Sequence, residues 1–358
     1  MPNLSGKQKI VPDFRVSING TPLSIEVEAD LMSVIVYEDI VAPSMFTLKL
    51  NNWDIKQHKV TWSDDDRWFK MGNEVEIQMG YVNNLEKILV GEIAGLEPEF
   101  DAGEVPTVIV RGYDRRHRLM RGRQTQTFIQ MKDSDIASKI ASVVQLTPKV
   151  KDTGVKLDYV LQHNQTHLEF LQERGQRIGY EVVVEDKTLY FRPHQNTDSP
   201  VLTLDLDETD LMEFYPRLTT LPEVGQVNVR GWNPKEKAEI VGQAKAGNEG
   251  TTMGGSKTGP MAANNTFGAC INTSVNRPVF SKAEADQIAL GHLKDMALEY
   301  ITGEGTSIGR TDLRAGKVIK IQGIGQRFSG NYYVTSTTHT YLPKQGYRTR
   351  FTVRRNAT

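Results

Sequence analysis

At 358 residues the chain is longer than one hydrophobic core usually supports, so two or three domains are expected. Its formal net charge of -1 gives no global attraction to nucleic acid or to a membrane surface, and its single cysteine, Cys270, excludes an internal disulfide and a four-cysteine zinc site. An apolar fraction of 38% is low for a compact enzyme and fits an elongated body or long polar connections. The opening MPNLSGKQKIVPDF has no apolar core of a signal peptide, and no apolar run approaches the roughly 20 residues needed to span a bilayer, so no stable membrane insertion is expected.

From Pro12 to about Arg123 the hydrophobic pattern has period two. Phe14, Val16 and Ile18, the turn Asn19-Gly20, and then Leu23, Ile25 and Val27 predict an opening hairpin. Val34 to Tyr37, Met45 to Leu50, Val75 to Met79, Ile88 to Leu96 and Thr107 to Gly112 add strands with no helix between them, which argues for an antiparallel sandwich or barrel.

The character changes after Arg123. Ser134 is placed to cap a helix carrying Ile136, Ile140, Val143 and Val144, and Val155 to Leu161 leads to a second helix. Thr166 and Glu169 make a capping-box pattern ahead of Leu168, Leu171, Gly175 and Ile178, and Gly179 supplies the left-handed stop. A hairpin follows, with Val182 and Val184 on one face, a turn at Asp186-Lys187 and a return over Leu189 to Phe191.

Strands resume at Val201 to Leu206, Met212 to Pro216 and Val224 to Trp232. Residues 242–266 are rich in Gly, Ala, Thr, Ser and Asn, and are expected to form a mobile loop. Ser281 and Glu284 then open a helix with Ala285, Ile288, Ala289, Leu293 and Met296 on its buried side, and strands run from Arg314 to the end.

An internal echo links the two β-rich segments. Gly72-Asn-Glu-Val-Glu-Ile-Gln78 matches Gly316-Lys-Val-Ile-Lys-Ile-Gln322, each followed by a second strand marked by glycine, at Gly91 and Gly330, and by a third, at Val108 to Arg111 and Arg350 to Arg354. Order and spacing together argue for duplication of one β domain. The expected fold class is mainly β with an α+β insert: two antiparallel β-barrel domains flanking a small helix-hairpin module. The boundaries are 1–123 for the first β domain with its N-terminal arm, 124–200 for the module, and 201–358 for the second β domain with loop 242–266 and helix 281–300.

The stretch HLEFLQERGQRIGYEVVVEDKTLYFRP resembles a segment of phage baseplate hub proteins of the late-control D type and of the N-terminal part of VgrG spike proteins of type VI secretion. LRAGKVIKIQGIGQRFSGNYYVTSTTHTYLPKQGYRTRFTVRRN is similar to the strand set that closes the same hub, and with the echo the resemblance spans about residues 10 to 356. It implies that the two β domains are tail-tube-like, and that the chain forms a homotrimer whose six β domains make a pseudo-sixfold ring between a hexameric tail tube and a threefold spike. Three chains with two similar domains each present six near-equivalent surfaces while keeping threefold symmetry. The implied partners are the tail tube protein, a spike protein expected as a separate chain because the sequence stops at Thr358, and baseplate wedge or tape-measure proteins. The implied location is the baseplate of a virion tail or injection particle, assembled in the bacterial cytoplasm. A wall-degrading or glycan-binding tail component is the alternative, and an unrelated β-rich surface protein a third.

No residue set points to catalysis, a cofactor or a metal. Arg111, Arg115, Arg116, Arg118, Arg121 and Arg123 form the densest basic cluster, readable as a phosphate site, as a solvated connection or, under the hub resemblance, as lumen or inter-subunit contacts with Asp64, Asp65 and Asp66. Few aromatic residues interleave them, which argues against specific nucleic-acid binding. His163 and His167 straddle the expected start of a helix and lack the glutamate of a zinc protease motif. Glu181 and Glu185 share one face of a strand about 13 Å apart, too far for a glycosidase pair, and are expected on a solvated face. Gly250 to Thr258 imitates a phosphate-binding loop but has serine where lysine is required, and is expected to lack strand-to-helix context.

Overall fold

The computed structural model describes residues 11–206, 210–233, 236–275 and 278–358. The first ten residues, most of the expected N-terminal arm, lie outside the described residues. The first segment contains β1 (Pro12–Ile18), β2 (Thr21–Pro22), α1 (Ile25–Asp30), β3 (Leu31–Asp39), β4 (Met45–Asn51), the short β5 (Trp53–Asp54) and β6 (Lys59–Val60), β7 (Glu74–Tyr81), β8 (Asn84–Glu99) and β9 (Thr107–Tyr113). Alternation does its expected work in β4, where Phe46, Leu48 and Leu50 are buried and the residues between them are not. The opening hairpin departs from expectation. Asn19 and Gly20 take positive φ as such a turn requires, but the return strand β2 is two residues long, and Ile25 and Val27 belong to α1. Val27 is buried and Ile25 is 82% exposed, a helical rather than an alternating outcome.

A two-turn 3-10 helix over Arg115–Met120 leads into β10 (Gln124–Lys132), α2 (Asp133–Val143), β11 (Thr147–Val150), β12 (Lys156–Gln165), α3 (His167–Gln176), β13 (Tyr180–Glu185) and β14 (Thr188–Pro193). The capping box of α3 is present in full: Thr166 Oγ1 accepts from Glu169 N at 3.2 Å, and Glu169 Oε2 accepts from Thr166 N at 2.9 Å. Such a cap stabilises the helix by about 1 kcal/mol. Gly179 ends the turn with φ 68°. In α2 the cap position is Lys132, so Ser134 sits inside the first turn, where its hydroxyl meets Thr153, and Val143 is 66% exposed.

The remainder holds β15 (Thr203–Asp205), β16 (Leu211–Leu218), β17 (Gln226–Asn233), β18 (Ala238–Lys245), α4 (Gly259–Phe267), β19 (Ile271–Ser274), α5 (Lys282–Leu298), β20 (Ile301–Ile308), β21 (Val318–Gln322), β22 (Gly330–Leu342) and β23 (Gly346–Arg355). Residues 242–266, expected as a mobile loop, include the end of β18 and most of α4. Their small residues are contact residues. A Cβ on Gly242 would lie 2.1 Å from the Ala285 carbonyl carbon in α5, and Ala244, Ala262 and Ala263 are buried. Polar, small-residue composition here reflects close approach of backbones rather than freedom.

One largely antiparallel sheet of 13 strands runs β16-β20-β23-β22-β3-β4-β9-β8-β7-β1-β2, with β21 and β15 branching from β22; its pairings close no ring among the described residues. It contains the same six-strand order twice, β3-β4-β9-β8-β7-β1 and β16-β20-β23-β22-β21-β15. The match extends to irregularities. Gly72 N donates to Ile93 O at 2.8 Å and Gly316 N to Val334 O at 2.8 Å, and Ile93 and Val334 return the bond to Asn73 and Lys317. Bulges fall at Ile93/Gly95 and Val334/Ser336, and again at Leu31/Ser33 and Leu211/Glu213. Bulges are placed features of a fold, so their recurrence is stronger than the shared letters. By this register Gly91 corresponds to Tyr332, not to Gly330, and the last pair differs, β1 meeting β7 antiparallel while β15 meets β21 in parallel.

The two units are sewn together where β22 outruns β21. Its residues Ser336 to Tyr341 pair antiparallel with β3, from Ser336↔Asp39 to Tyr341↔Val34. One apolar core fills the first unit, from Val16 to Val110, and another fills the second, from Leu202 to Val353. A third joins the module to β17, β18 and α5, through Phe170, Leu171 and Phe191 on one side and Val227, Ala285 and Leu293 on the other.

Candidate functional site

The chemistry-bearing side chains collect at the seam between the units and the module. Glu38 in β3 faces the loop before β21: Arg314 Nε donates to Glu38 Oε2 at 2.7 Å, and Thr337 Oγ1 donates to the same oxygen at 3.0 Å. Burial alone would raise the Glu38 carboxyl; the Arg314 guanidinium overrides it and holds the group well below the usual carboxylate range. His339 lies beside this pair with its Nδ1 2.7 Å from the Tyr347 hydroxyl, and burial pushes its imidazole down, toward the neutral form.

A second network surrounds Glu181, expected on a solvated face but only 4% exposed. It accepts from Arg192 Nε at 3.1 Å, lies 3.2 Å from His194 Nδ1 and takes the Tyr333 hydroxyl bond at 2.5 Å. His194 reaches Asp295 of α5 with its other nitrogen at 3.1 Å. Burial would lower His194, yet the Asp295 and Glu181 carboxylates together drive it up to about 9, so the imidazolium bridges two acids. Period two correctly put Glu181 opposite Val182 in the strand; at Glu181 that face meets Tyr333 of β22 and, through His194, Asp295 of α5. Glu185 is exposed. A cavity of about 620 Å³ opens beside the network, lined in part by Asp39, Gln172, His194, Glu299 and Arg354. Glu181, His194 and Asp295 on its wall belong to this network, while Arg354 pairs with Glu299 and Asp39 accepts the N–H groups of Val41 and Ala42.

The arginine cluster separates into two populations. Arg115 and Arg116 are 2% and 1% exposed, which rules out a solvated connection for them. Arg115 pairs with Glu74, Glu92 and Asp186, and Arg116 with Asp114, the Asp39 carbonyl and the Ser44 hydroxyl. Arg118 pairs with Glu92, Arg123 with Glu169 and Arg111 with Glu97. Arg121 is exposed, as are Asp64 and Asp66, while Asp65 accepts the N–H groups of Arg67 and Trp68. Arg115 thus ties the first unit to the module through Asp186, the other paired arginines mostly bond within their own segment, and Arg121, Asp64 and Asp66 are exposed.

His163 is exposed on β12 and His167 is buried at the start of α3, so the two straddle the helix start. The phosphate-loop imitation does stand between a strand and a helix, β18 and α4, contrary to expectation. The chemistry there is wrong for phosphate. Glu249 accepts from the Thr258 hydroxyl at 2.8 Å and from Gly247 N at 2.7 Å, placing a carboxylate at the helix start. Glu223 lies behind it, 5% exposed with neither oxygen partnered, and burial together with the Glu249 and Glu299 charges pushes its carboxyl up to about 8. Sequence reading missed Glu223, whose neighbours are distant in the chain.

Two of the edges that the sheet leaves open among the described residues lie on equivalent strands of the two units or beside them. β16 ends the sheet, and β8 beyond Ile93 has a partner only on its β9 side. Phe100 and Tyr215, at these edges, are 61% and 63% exposed. No helix among the described residues is long and apolar enough to cross a membrane.

The model of the Alg8 N-terminal domain family matches residues 8–342. No curated protein matches the sequence. Among solved structures, the 43 kDa tail protein of prophage MuSo2 from Shewanella oneidensis is similar over 96% of this chain and 98% of its own, at 12% identity and a TM-score of 0.69. A tail protein from Neisseria meningitidis MC58 is similar over 96% of both chains, at 15% identity and a TM-score of 0.68. The E. coli c3393 protein, described as a component of the type VI secretion system similar to the T4 tail proteins gp27 and gp5, is covered over 77% and covers 96% of this chain, at 15% identity and a TM-score of 0.63. These likenesses are of fold, and that fold takes in both β units and the module.

Proposed function

The chain belongs to the Alg8 N-terminal domain family, and we propose that it is a structural component of a phage-like tail or injection particle: the baseplate hub, a homotrimer that adapts a sixfold tail tube to a threefold spike. The observation that carries this reading is the doubled six-strand unit with its recurring bulges, joined in one sheet through β22 and β3. Two equivalent units per chain give three chains six near-equivalent faces. The whole-chain likeness of fold to phage tail proteins supports it.

The role is non-enzymatic. At the seam Glu181 is held by three donors, and His194 by two acids. Such a constellation fixes the angle between units. Arg121, Asp64 and Asp66 are the members of the basic and acidic clusters that remain for contacts between subunits or with the lumen. The partners are a tube protein on one face of the ring and a spike protein on the other.

Co-assembly tests the reading. Mixed with the tube protein of its own particle, the chain should bind at three copies per six tube subunits. A chain that never binds tube protein, or one that releases fragments from purified peptidoglycan, contradicts it.

A further inference from the structure

The junction inside the chain specifies a second junction between chains. β22 and β8 are equivalent strands, as are β3 and β16, by the bulges and the glycine-anchored bonds described above. Within the chain, the part of β22 past its bulge pairs with β3, whereas the equivalent part of β8 with the residue after it, Gly95 to Phe100, pairs only with β9, and β16 only with β20, so that among the described residues each has its outer side open. We propose that Gly95 to Phe100 of one chain pairs antiparallel with β16 of a second copy, in the register that β22 and β3 already use. The proposal rests on the hub reading and names the contact by which copies of the chain join.

Transferring Ser336↔Asp39 through Tyr341↔Val34 residue by residue predicts each facing pair. Leu96 faces Leu218, Glu97 faces Arg217, Glu99 faces Tyr215 and Phe100 faces Phe214. One apolar pair, one pair of opposite charge and one aromatic pair fall opposite each other, with Glu97, already paired with Arg111 of β9, gaining Arg217 as a second cationic partner. A slip of two residues along β16, placing Glu97 opposite Tyr215 or Thr219, loses the charge match.

Prolines mark the same two edges. Thr219 N donates to Tyr300 O at 3.0 Å, so residues 217 and 215 turn their backbone groups to β20, and Pro216 turns outward. Asn52 N donates to Pro106 O, which by alternation directs Glu97 and Glu99 to β9, and Pro98 outward. Neither proline therefore removes a bond from the chain's own sheet, and both blunt an exposed edge. In the proposed register they meet at one rung, in the places of His339 and Val36. The contact between chains lacks that rung, so it is weaker than the junction within a chain. Free chains are thereby guarded against indiscriminate strand pairing. The contact is head-to-tail, so three copies form a ring where its rotation closes at three and an open chain of copies where it does not.

Cysteine pairing reads the register. With Cys270→Ser removing the native thiol, Glu97→Cys in one chain and Arg217→Cys in another occupy a pair whose separation of about 4.5 Å between α-carbons suits a disulfide. Mixed single variants should crosslink on mild oxidation, and the double variant should give covalent trimers. Glu97→Cys with Glu213→Cys should not crosslink. A native trimer that fails to crosslink at 97 and 217, or crosslinks better at 97 and 213, overturns the register and leaves the hub reading standing; a monomer at all concentrations overturns both. Charge exchange supplies an independent arm: Glu97→Arg or Arg217→Glu alone should weaken trimer formation about tenfold, and the two together should recover most of it. Absence of any recovery counts against the pairing.

Discussion

Arg314 sets its Nε 2.7 Å from Glu38 Oε2, joining the loop before β21 in the second unit to β3 in the first. The Arg314 side chain also donates to the carbonyl of Lys87 at 3.1 Å, so one residue holds two strands of the opposite unit. Removing one member of such a buried pair leaves a charge without compensation. Arg314→Met or Glu38→Gln should destabilise the chain by about 3–5 kcal/mol, and replacing both with apolar residues should cost less than either alone. Urea unfolding of the three variants checks this.

His194 makes stability depend on alkaline pH. Its folded pKa of about 9 exceeds the ordinary 6.5, so its contribution is complete below about pH 6.5 and is lost as pH rises through 9. His194→Gln should be less stable than the parent at pH 6 by up to about 3 kcal/mol, with the gap closing above pH 9. Thermal unfolding at pH 6, 8 and 9.5 measures it.

Glu223 carries the opposite kind of cost. Its carboxyl is pushed up to about 8, so the folded chain binds a proton that the unfolded chain releases near 4.5, and stability falls as pH rises between those values. Glu223→Gln should raise the melting temperature by several degrees at pH 8.5 and change it little at pH 5. A variant less stable at both values would show that the ionised carboxylate has a stabilising partner.

Gly242 is a contact residue. An added Cβ would lie 2.1 Å from Ala285 C and 2.4 Å from Asp286 N, both backbone atoms of α5 that cannot yield cheaply. Gly242→Ala should cost about 1–3 kcal/mol, whereas Gly103→Ala, at a surface turn with open space around it, should be limited to the strain of its positive φ. A Gly242→Ala chain as stable as the parent would return residues 242–266 to the status of a loop.

Local signals made much of this fold legible. The Thr166 and Ser281 caps sit where hydroxyl and carboxylate spacing puts them, and the alternating strands of the first unit follow their pattern. Close approach without large side chains was illegible: the end of β18 and most of α4 are written largely in Gly, Ala and Asn, which reads as linker unless the neighbour is known. Burial of charge was equally hidden. Nothing in the run Arg115 to Arg123 shows that Arg115 and Arg116 will meet Glu74, Glu92, Asp186 and Asp114, because a local pattern does not reveal a partner up to 71 positions away. The echo at Gly72 and Gly316 was visible, but its reach became clear only when the bulges lined up.

The central claim is that this chain works as a ring of three. Native mass spectrometry of the purified chain at micromolar concentration tests it most directly. The account predicts a dominant species at the mass of three chains that dissociates cooperatively when Glu97 or Arg217 is reversed in charge. A species that stays at one chain, alone and with tube and spike proteins added, would contradict it.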